Sequence, residues 1–149
     1  MNKLPPMALL AALLACTLPA HAADNKVMLP IAAALSDAEI KTRLGEDMQF
    51  YFAGQATPAI VEKVGSQKNS LRVNAIGKST ESACNAALLA ALLQLKKGAQ
   101  AVGANAVINI VSNLKESEDA SATEFACHSG SIMAGVAFKA EFARVNAAE

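Results

Sequence analysis

Beyond residue 22, the cysteine and histidine side chains that could act as a nucleophile, a base or a metal ligand are Cys84, Cys127 and His128. Cys127 stands directly before His128, and thiolate attack needs a nearby base, so the pair suggests a cysteine nucleophile. All three together would supply two thiolates and an imidazole, which suit zinc or a softer metal, although the sequence shows no fourth ligand. Both kinds of site need reduced thiols, so the compartment of the protein decides between them and a disulfide.

The first 22 residues have the features of a secretory signal peptide. Lys3 supplies a short positive region, residues 7–18 form a hydrophobic run, and Ala20-His21-Ala22 is a small-residue cleavage site. The run is shorter than the roughly 20 residues that a membrane-spanning helix needs. We therefore expect cleavage after Ala22, no transmembrane helix in the mature chain, and a periplasmic or secreted protein.

An alternative N-terminal processing site lies within the same segment. Leu13-Leu14-Ala15-Cys16 resembles a lipobox, in which cleavage before Cys16 would leave a lipid-anchored N-terminus. Leu14 is bulky for its place in that motif, and the site ending at Ala22 is well formed. A soluble protein is the main expectation and a lipoprotein anchored through Cys16 is the alternative.

Export favours a disulfide between the two cysteines that remain, Cys84 and Cys127. Their sequence separation is 43 residues. Closing a loop of that length removes about 4 kcal/mol of chain entropy from the unfolded state in the simple loop-closure model. An oxidised Cys127 would be chemically inert, which disfavours catalysis by Cys127 and His128. Binding of a heavy metal by Cys84, Cys127 and His128 stays as the alternative function.

The composition fits one compact domain over residues 23–149, because 53% of the residues are hydrophobic and 17% are charged. Basic and acidic residues number 13 each, and removal of Lys3 with the signal leaves a formal charge of about −1. The chain therefore has no excess of positive charge that would attract nucleic acid. Nucleic-acid binding is therefore not expected.

The strongest structural signal is a helix that leads directly into a strand, over residues 79–113. Ser79 or Thr80 can cap the helix, and Gly103 provides its stop. One stripe of apolar residues repeats at helical spacing and should cover a sheet, and it consists of Cys84, Ala87, Leu88, Ala91, Leu92, Leu95, Ala99 and Val102. The strand from Ala106 onwards is apolar on both faces, which predicts a central place in the sheet.

The remaining pattern predicts several further strands and one short helix. The clearest strand covers residues 131–145, in which Ile132 and every second residue up to Phe142 are apolar. Other strands are expected at 27–35, 47–54, 71–78 and 122–127, and a short helix with Ser36 as its N-cap at 37–44. Exposed turns are expected at 65–70 and 128–130 and a mobile loop at 115–121. These elements predict an α+β fold with a small antiparallel sheet packed by one main helix.

Two other patterns have a chemical meaning. Gly130-Ser-Ile-Met-Ala-Gly135 matches the first half of a phosphate-binding loop, but Val136 and Ala137 stand where Lys and Ser or Thr are needed, and a strand follows instead of a helix. The other pattern is a set of acidic residues that could form a paired-carboxylate site: Glu46, Asp47, Glu116, Glu118 and Asp119. No apolar residues nearby would raise the pKa of one carboxyl group for acid catalysis, so we expect these side chains to be solvated loop charges. No cofactor is expected.

The stretch from Cys84 through GANAVINIVS to CHSGSIMAGVAFKAEF resembles the folded core of the lipoprotein that senses damage for the Rcs envelope-stress system. It is also similar to the small domains of the YbjQ type, which are described as heavy-metal-binding. The resemblance covers about the last 70 residues and implies one helix on a small sheet, with Cys84 and Cys127 matching one disulfide of the sensor. The sensor core has four cysteines, and this mature chain has two.

As a whole the chain resembles exported bacterial proteins that are sometimes labelled as an excinuclease ATPase subunit. The missing phosphate-loop lysine and the signal peptide argue against that activity. The resulting hypothesis is an exported, disulfide-stapled, non-catalytic α+β domain that binds a protein partner or an envelope component.

Overall fold

The computed structural model describes residues 25–147, so the signal segment 1–22, its cleavage site and Cys16 lie outside the described residues. The described chain folds into a seven-stranded, mostly antiparallel sheet with one long helix packed on it. The α+β prediction is therefore confirmed. The elements are β1 Asn25–Pro30, α1 Ile31–Ser36, α2 Ala38–Leu44, β2 Gln49–Phe52, β3 Ile60–Asn74, α3 Thr80–Ala101, β4 Ala106–Leu114, β5 Ser117–Asp119, β6 Glu124–Ser129 and β7 Met133–Val145.

Strand β7 is the axis of the sheet. Strand β3 pairs antiparallel with it over its whole length, from Ile60 opposite Val145 to Asn74 opposite Met133. Because β3 occupies one edge of β7, strands β6 and β4 follow one another along the other edge. Strand β1 then pairs with β6, and β2 and β5 pair with β4.

Helix α3 has the ends that the sequence predicts. The Ser79 side chain accepts a hydrogen bond from the backbone N–H of Ser82 at 3.1 Å, and Gly103 follows the helix with a φ of +72°. The apolar stripe from Cys84 to Ala99 is buried against the sheet, whereas Val102 is 43% exposed. Helices α1 and α2 contribute Ile31 and Ile40 to the same core.

Close approach of α3 to the sheet depends on Gly98. A Cβ atom at this position would lie 3.0 Å from Cζ of Phe142 on β7 and would also meet the Gln67 side chain on β3. The helical cost of glycine, about 1 kcal/mol relative to alanine, is therefore compensated by tighter packing of the helix on the sheet.

Several predicted boundaries were wrong. Residues 65–70 are the middle of β3 instead of a turn, because their pairing with β7 holds a polar segment in the sheet. Asp37 is the N-cap of α2 in place of Ser36, and its side chain accepts from the backbone N–H of Glu39 and Ile40. The segment at 31–36 is helical and not part of a strand.

The rest of the sheet differs from the prediction at one turn, one loop and one pair of strands. His128 belongs to β6, and the turn is at 130–132, so Ile132 is 62% exposed instead of buried. Gly135 and Ala137 face away from α3, since alternate residues of β7 point to opposite faces. The expected mobile loop contains β5, and β2 runs parallel to β4, so one pair of the sheet is not antiparallel.

Candidate functional site

The two cysteines of the described chain form a disulfide that staples α3 to β6. Cys84 lies near the start of the helix and Cys127 in the strand, with their Cα atoms 5.9 Å apart. Both residues are fully buried. The expected bridge is therefore present, and neither sulfur is a thiolate in this state.

His128 lies on the opposite face of the sheet from the disulfide. Cys127 points into the core beneath α3, so the next residue of β6 points to the other face. In β-sheet pairing His128 stands opposite Lys26 of β1 and Gly135 of β7. The sequence neighbours Cys127 and His128 are therefore separated by the sheet, and a thiolate–imidazole pair between their side chains is not formed.

The same arrangement bears on the metal alternative. A site using Cys84, Cys127 and His128 would need the disulfide to be reduced and the imidazole to reach around the strand. Among residues 25–147, no group of three or more histidine, cysteine, aspartate or glutamate side chains is placed to hold a metal ion.

Four of the five acidic residues considered for catalysis, all except Glu46, lie in separate lysine ion pairs. Asp47 pairs with Lys96, and Glu118 pairs with Lys139 at 2.7 Å. The hydrogen bond from Lys96 lowers the pKa of Asp47, and the hydrogen bond from Lys139 lowers the pKa of Glu118. A general acid at neutral pH needs a raised pKa, so these carboxylates have the wrong perturbation for that role.

A groove of about 500 Å³ lies on the face of the sheet that α3 leaves open. Its floor is Gly135 and Ala137 of β7, and Arg72, Lys115 and His128 are among its walls. We call this cavity the β7 groove. Its volume falls in the range of small-molecule sites in proteins.

The β7 groove is located where the sheet divides. Along one edge of β7, the pairing with β6 ends at Gly135 and the pairing with β4 starts at Phe138. Neither strand therefore pairs with Val136 or Ala137. The buried Ser112 hydroxyl bridges the two strands by accepting a hydrogen bond from Ala126 N–H at 2.9 Å.

The residues of the groove come from three distant parts of the chain, at 70–72, 114–115 and 128–137. Sequence reasoning missed Arg72 and Lys115. Neither residue belongs to a local motif, and only the register of β3 on β7 brings Arg72 beside Gly135. The segment from Gly130 to Gly135 was noticed for its glycine spacing. This segment lines the groove as a turn followed by β7. A phosphate-binding loop would be followed by a helix, so the expected difference from such a loop is confirmed.

A second cavity, of about 480 Å³, lies between α2 and the first turns of α3. It is lined by charges of both signs, including Asp37, Arg43, Lys78 and Glu81. This mixture favours no particular ligand charge.

The chain was also compared with known proteins. No protein-family model, curated protein or solved structure matches it significantly. Within residues 25–147 no helix is long and apolar enough to cross a membrane.

Proposed function

We propose that this protein is an exported, non-catalytic domain that binds an extended, acidic segment of an envelope protein by adding it as a strand to β3. The observation that carries this proposal is the unpaired outer edge of β3. Within residues 25–147 only β7 pairs with β3, so its other edge presents free backbone N–H and C=O groups. Such an edge is a template for a further strand.

The usable part of this edge is its C-terminal two thirds. The register of β3 on β7 shifts between Ile60 and Glu62 and again between Lys63 and Gly65. Bulges of this kind protect an edge from pairing. From Gly65 to Asn74 the pairing is continuous, so a partner strand would meet a regular ten-residue edge.

The charges of this edge favour an acidic partner. Lys68 and Arg72 project from the open face, and residues 65–74 contain no acidic residue. Lys68 has one exposed ion pair, with Glu116 at 3.3 Å, which is the kind of contact that contributes little. Opposite charges directly across two strands contribute roughly 0.2–1 kcal/mol per pair.

The same charges disfavour a second copy of this chain as the occupant. Antiparallel pairing of two β3 edges would bring Lys68 and Arg72 of one copy beside those of the other. Like charges on neighbouring strands are destabilising. Lysine on an edge strand is a common protection against such self-association.

Export and the absence of catalysis are supported by the cysteines. A disulfide persists in oxidising compartments such as the periplasm, which agrees with the expected signal at residues 1–22. Because Cys84 and Cys127 are bonded to each other, Cys127 has no thiolate with which to attack a substrate. We infer that the domain acts by binding.

The test uses a designed ten-residue peptide with alternating Glu and Thr residues. We expect saturable binding, measured by fluorescence anisotropy, and slower hydrogen exchange at alternate amides between Gly65 and Asn74. A matched peptide with Lys in place of Glu should bind more weakly, because it meets Lys68 and Arg72.

Two further peptides separate strand addition from simple charge attraction. Each carries N-methyl groups on alternate residues, so that one edge of the peptide has no N–H donors, and the two peptides differ only in which edge is blocked. One should bind like the parent and the other should not bind. Equal binding of both, or unchanged exchange in β3, would contradict the proposal.

A further inference from the structure

Two cationic side chains, Arg72 and Lys115, line the β7 groove. Most basic side chains in the described part of the chain pair with an acid, for example Lys26 with Asp119 at 2.6 Å and Lys139 with Glu118 at 2.7 Å. Arg72 and Lys115 have no such partner within residues 25–147, and no Asp or Glu lines the groove. Two cations beside one cavity favour a ligand with a negative group.

The backbone holds both cations at the groove. Gly135 has no side chain, and a Cβ atom there would lie 3.2 Å from Cγ of Arg72 and 3.1 Å from the backbone oxygen of Leu71. The stem of Arg72 therefore lies close over β7. Lys115 occupies the tight turn between β4 and β5 with a φ of +52°, a conformation that fixes where its side chain begins.

The groove is also lined by large apolar side chains. Leu114, Ile132 and Met133 line it, and the last two are 62% and 44% exposed. The turn that carries them is anchored by a hydrogen bond from Ala75 N–H to the Ile132 oxygen at 2.8 Å. Large apolar side chains left exposed together beside a cavity are typical of a binding surface.

We propose that the β7 groove binds an anionic amphiphile, with its carboxylate or phosphate head at Arg72 and Lys115 and its alkyl chain along Leu114, Ile132 and Met133. This site goes beyond strand addition at β3 and does not depend on it. The head group makes charge-assisted hydrogen bonds to the guanidinium and the ammonium group. The small floor formed by Gly135 and Ala137 leaves room for the chain.

The first experiment is a titration of the full mature protein with decanoate below its micellar concentration, followed by calorimetry and by amide NMR shifts. We expect saturable one-to-one binding, with the largest shifts at Gly130, Gly135 and Ala137. Decanol, which has the same chain without the charge, should bind at least tenfold more weakly, because it cannot form the charge-assisted hydrogen bonds of the carboxylate.

Variants locate the site. Arg72→Gln and Lys115→Asn should each weaken decanoate binding about tenfold or more, and asparagine tolerates the positive φ at Lys115. Lys97→Gln is the matched control, because Lys97 is exposed on α3, has no ion pair among the described residues and does not line the groove. Ala137→Leu should block the groove and abolish binding.

Three results would overturn the proposal: no binding of decanoate, equal binding of decanol, or an equal effect of Lys97→Gln and Arg72→Gln. Vesicles of phosphatidylglycerol and of phosphatidylcholine identify the source of the ligand. Sedimentation with the anionic vesicles that is lost in Arg72→Gln would indicate a lipid in a membrane. Decanoate binding without vesicle binding would indicate a free amphiphile. Neither result depends on the peptide test of β3, so failure of one proposal is distinguishable from failure of the other.

Discussion

Removal of the Cys84–Cys127 bridge should strongly destabilise the fold. The bridge closes a loop with a sequence separation of 43 residues, and loop-closure entropy for that length gives about 4 kcal/mol. In the double variant Cys84→Ala/Cys127→Ala two fully buried sulfur atoms are lost as well. Each should cost roughly 1 kcal/mol, by analogy with a buried methylene group.

The two contributions can be measured separately. Wild type that has been reduced retains both sulfur atoms and loses only the covalent link, so it should lose about 4 kcal/mol. The double alanine variant should lose about 2 kcal/mol more. For a domain of this size, 4 kcal/mol corresponds to a fall in Tm of about 15 °C.

Urea denaturation of oxidised, reduced and double-variant protein, followed by far-UV circular dichroism, is the assay. The m-value should also rise when the bridge is absent, because an unfolded chain without a cross-link exposes more surface. A loss of less than about 1 kcal/mol on reduction, with two-state unfolding, would refute the reasoning: the unfolded chain would then already hold residues 84 and 127 together.

Three further predictions concern packing, a buried hydrogen bond and pH. Gly98→Ala should destabilise by about 1 kcal/mol, because overpacking against Phe142 outweighs the gain in helix propensity; a higher Tm would contradict this. Ser112→Ala should lower the free energy of unfolding in urea by about 1–3 kcal/mol, since the buried Ala126 N–H loses its acceptor. A decrease of less than about 0.5 kcal/mol, the smallest net contribution of an ordinary hydrogen bond, would contradict this. The hydrogen bond from the Asn109 amide lowers the pKa of Glu141. The ionised carboxylate therefore stabilises the fold at pH values above the ordinary carboxyl pKa, and this stabilisation is lost as the pH falls through the lowered pKa of the folded state. Glu141→Gln should therefore lower stability at pH 7 and match wild type in acid; an equal deficit at both pH values would contradict it.

The helix–strand unit was predictable because its signals are local. Ser79 supplies a cap and Gly103 a stop, and the apolar stripe predicted between them has a helical period over about five turns. The buried strand that follows is apolar on both faces, and it lies centrally as expected. The cysteine pairing was equally accessible, since only two cysteines remain once the expected signal is removed.

The middle of β3 could not be predicted in the same way. Residues 65–70 are Gly-Ser-Gln-Lys-Asn-Ser, a composition typical of an exposed turn. They form a strand because β7 pairs with them and because Asn69 reaches α3, where its amide donates to the Ala91 oxygen at 3.0 Å. These contacts join residues that are distant in the sequence, and no local preference encodes them.

The β7 groove was not predictable for a related reason. Its position follows from the place where β6 stops and β4 starts along β7, and that place is set by register. Arg72 and Lys115 are ordinary surface residues in the sequence. Only the paired strands reveal that these two cations share a cavity that no Asp or Glu of residues 25–147 lines.

Helix α3 and the disulfide determine which surfaces of the sheet can bind. The helix covers the face formed by Phe138 and Phe142, and the Cys84–Cys127 bridge fixes its first turns to β6. No other element of residues 25–147 pairs with the outer edge of β3, and Arg72 belongs both to this edge and to the β7 groove on the opposite face. A partner strand on β3 would compete with an anionic ligand for this guanidinium. If both proposals hold, decanoate should weaken binding of the acidic peptide in wild type, and Arg72→Gln should remove this competition while amide protection along β3 persists.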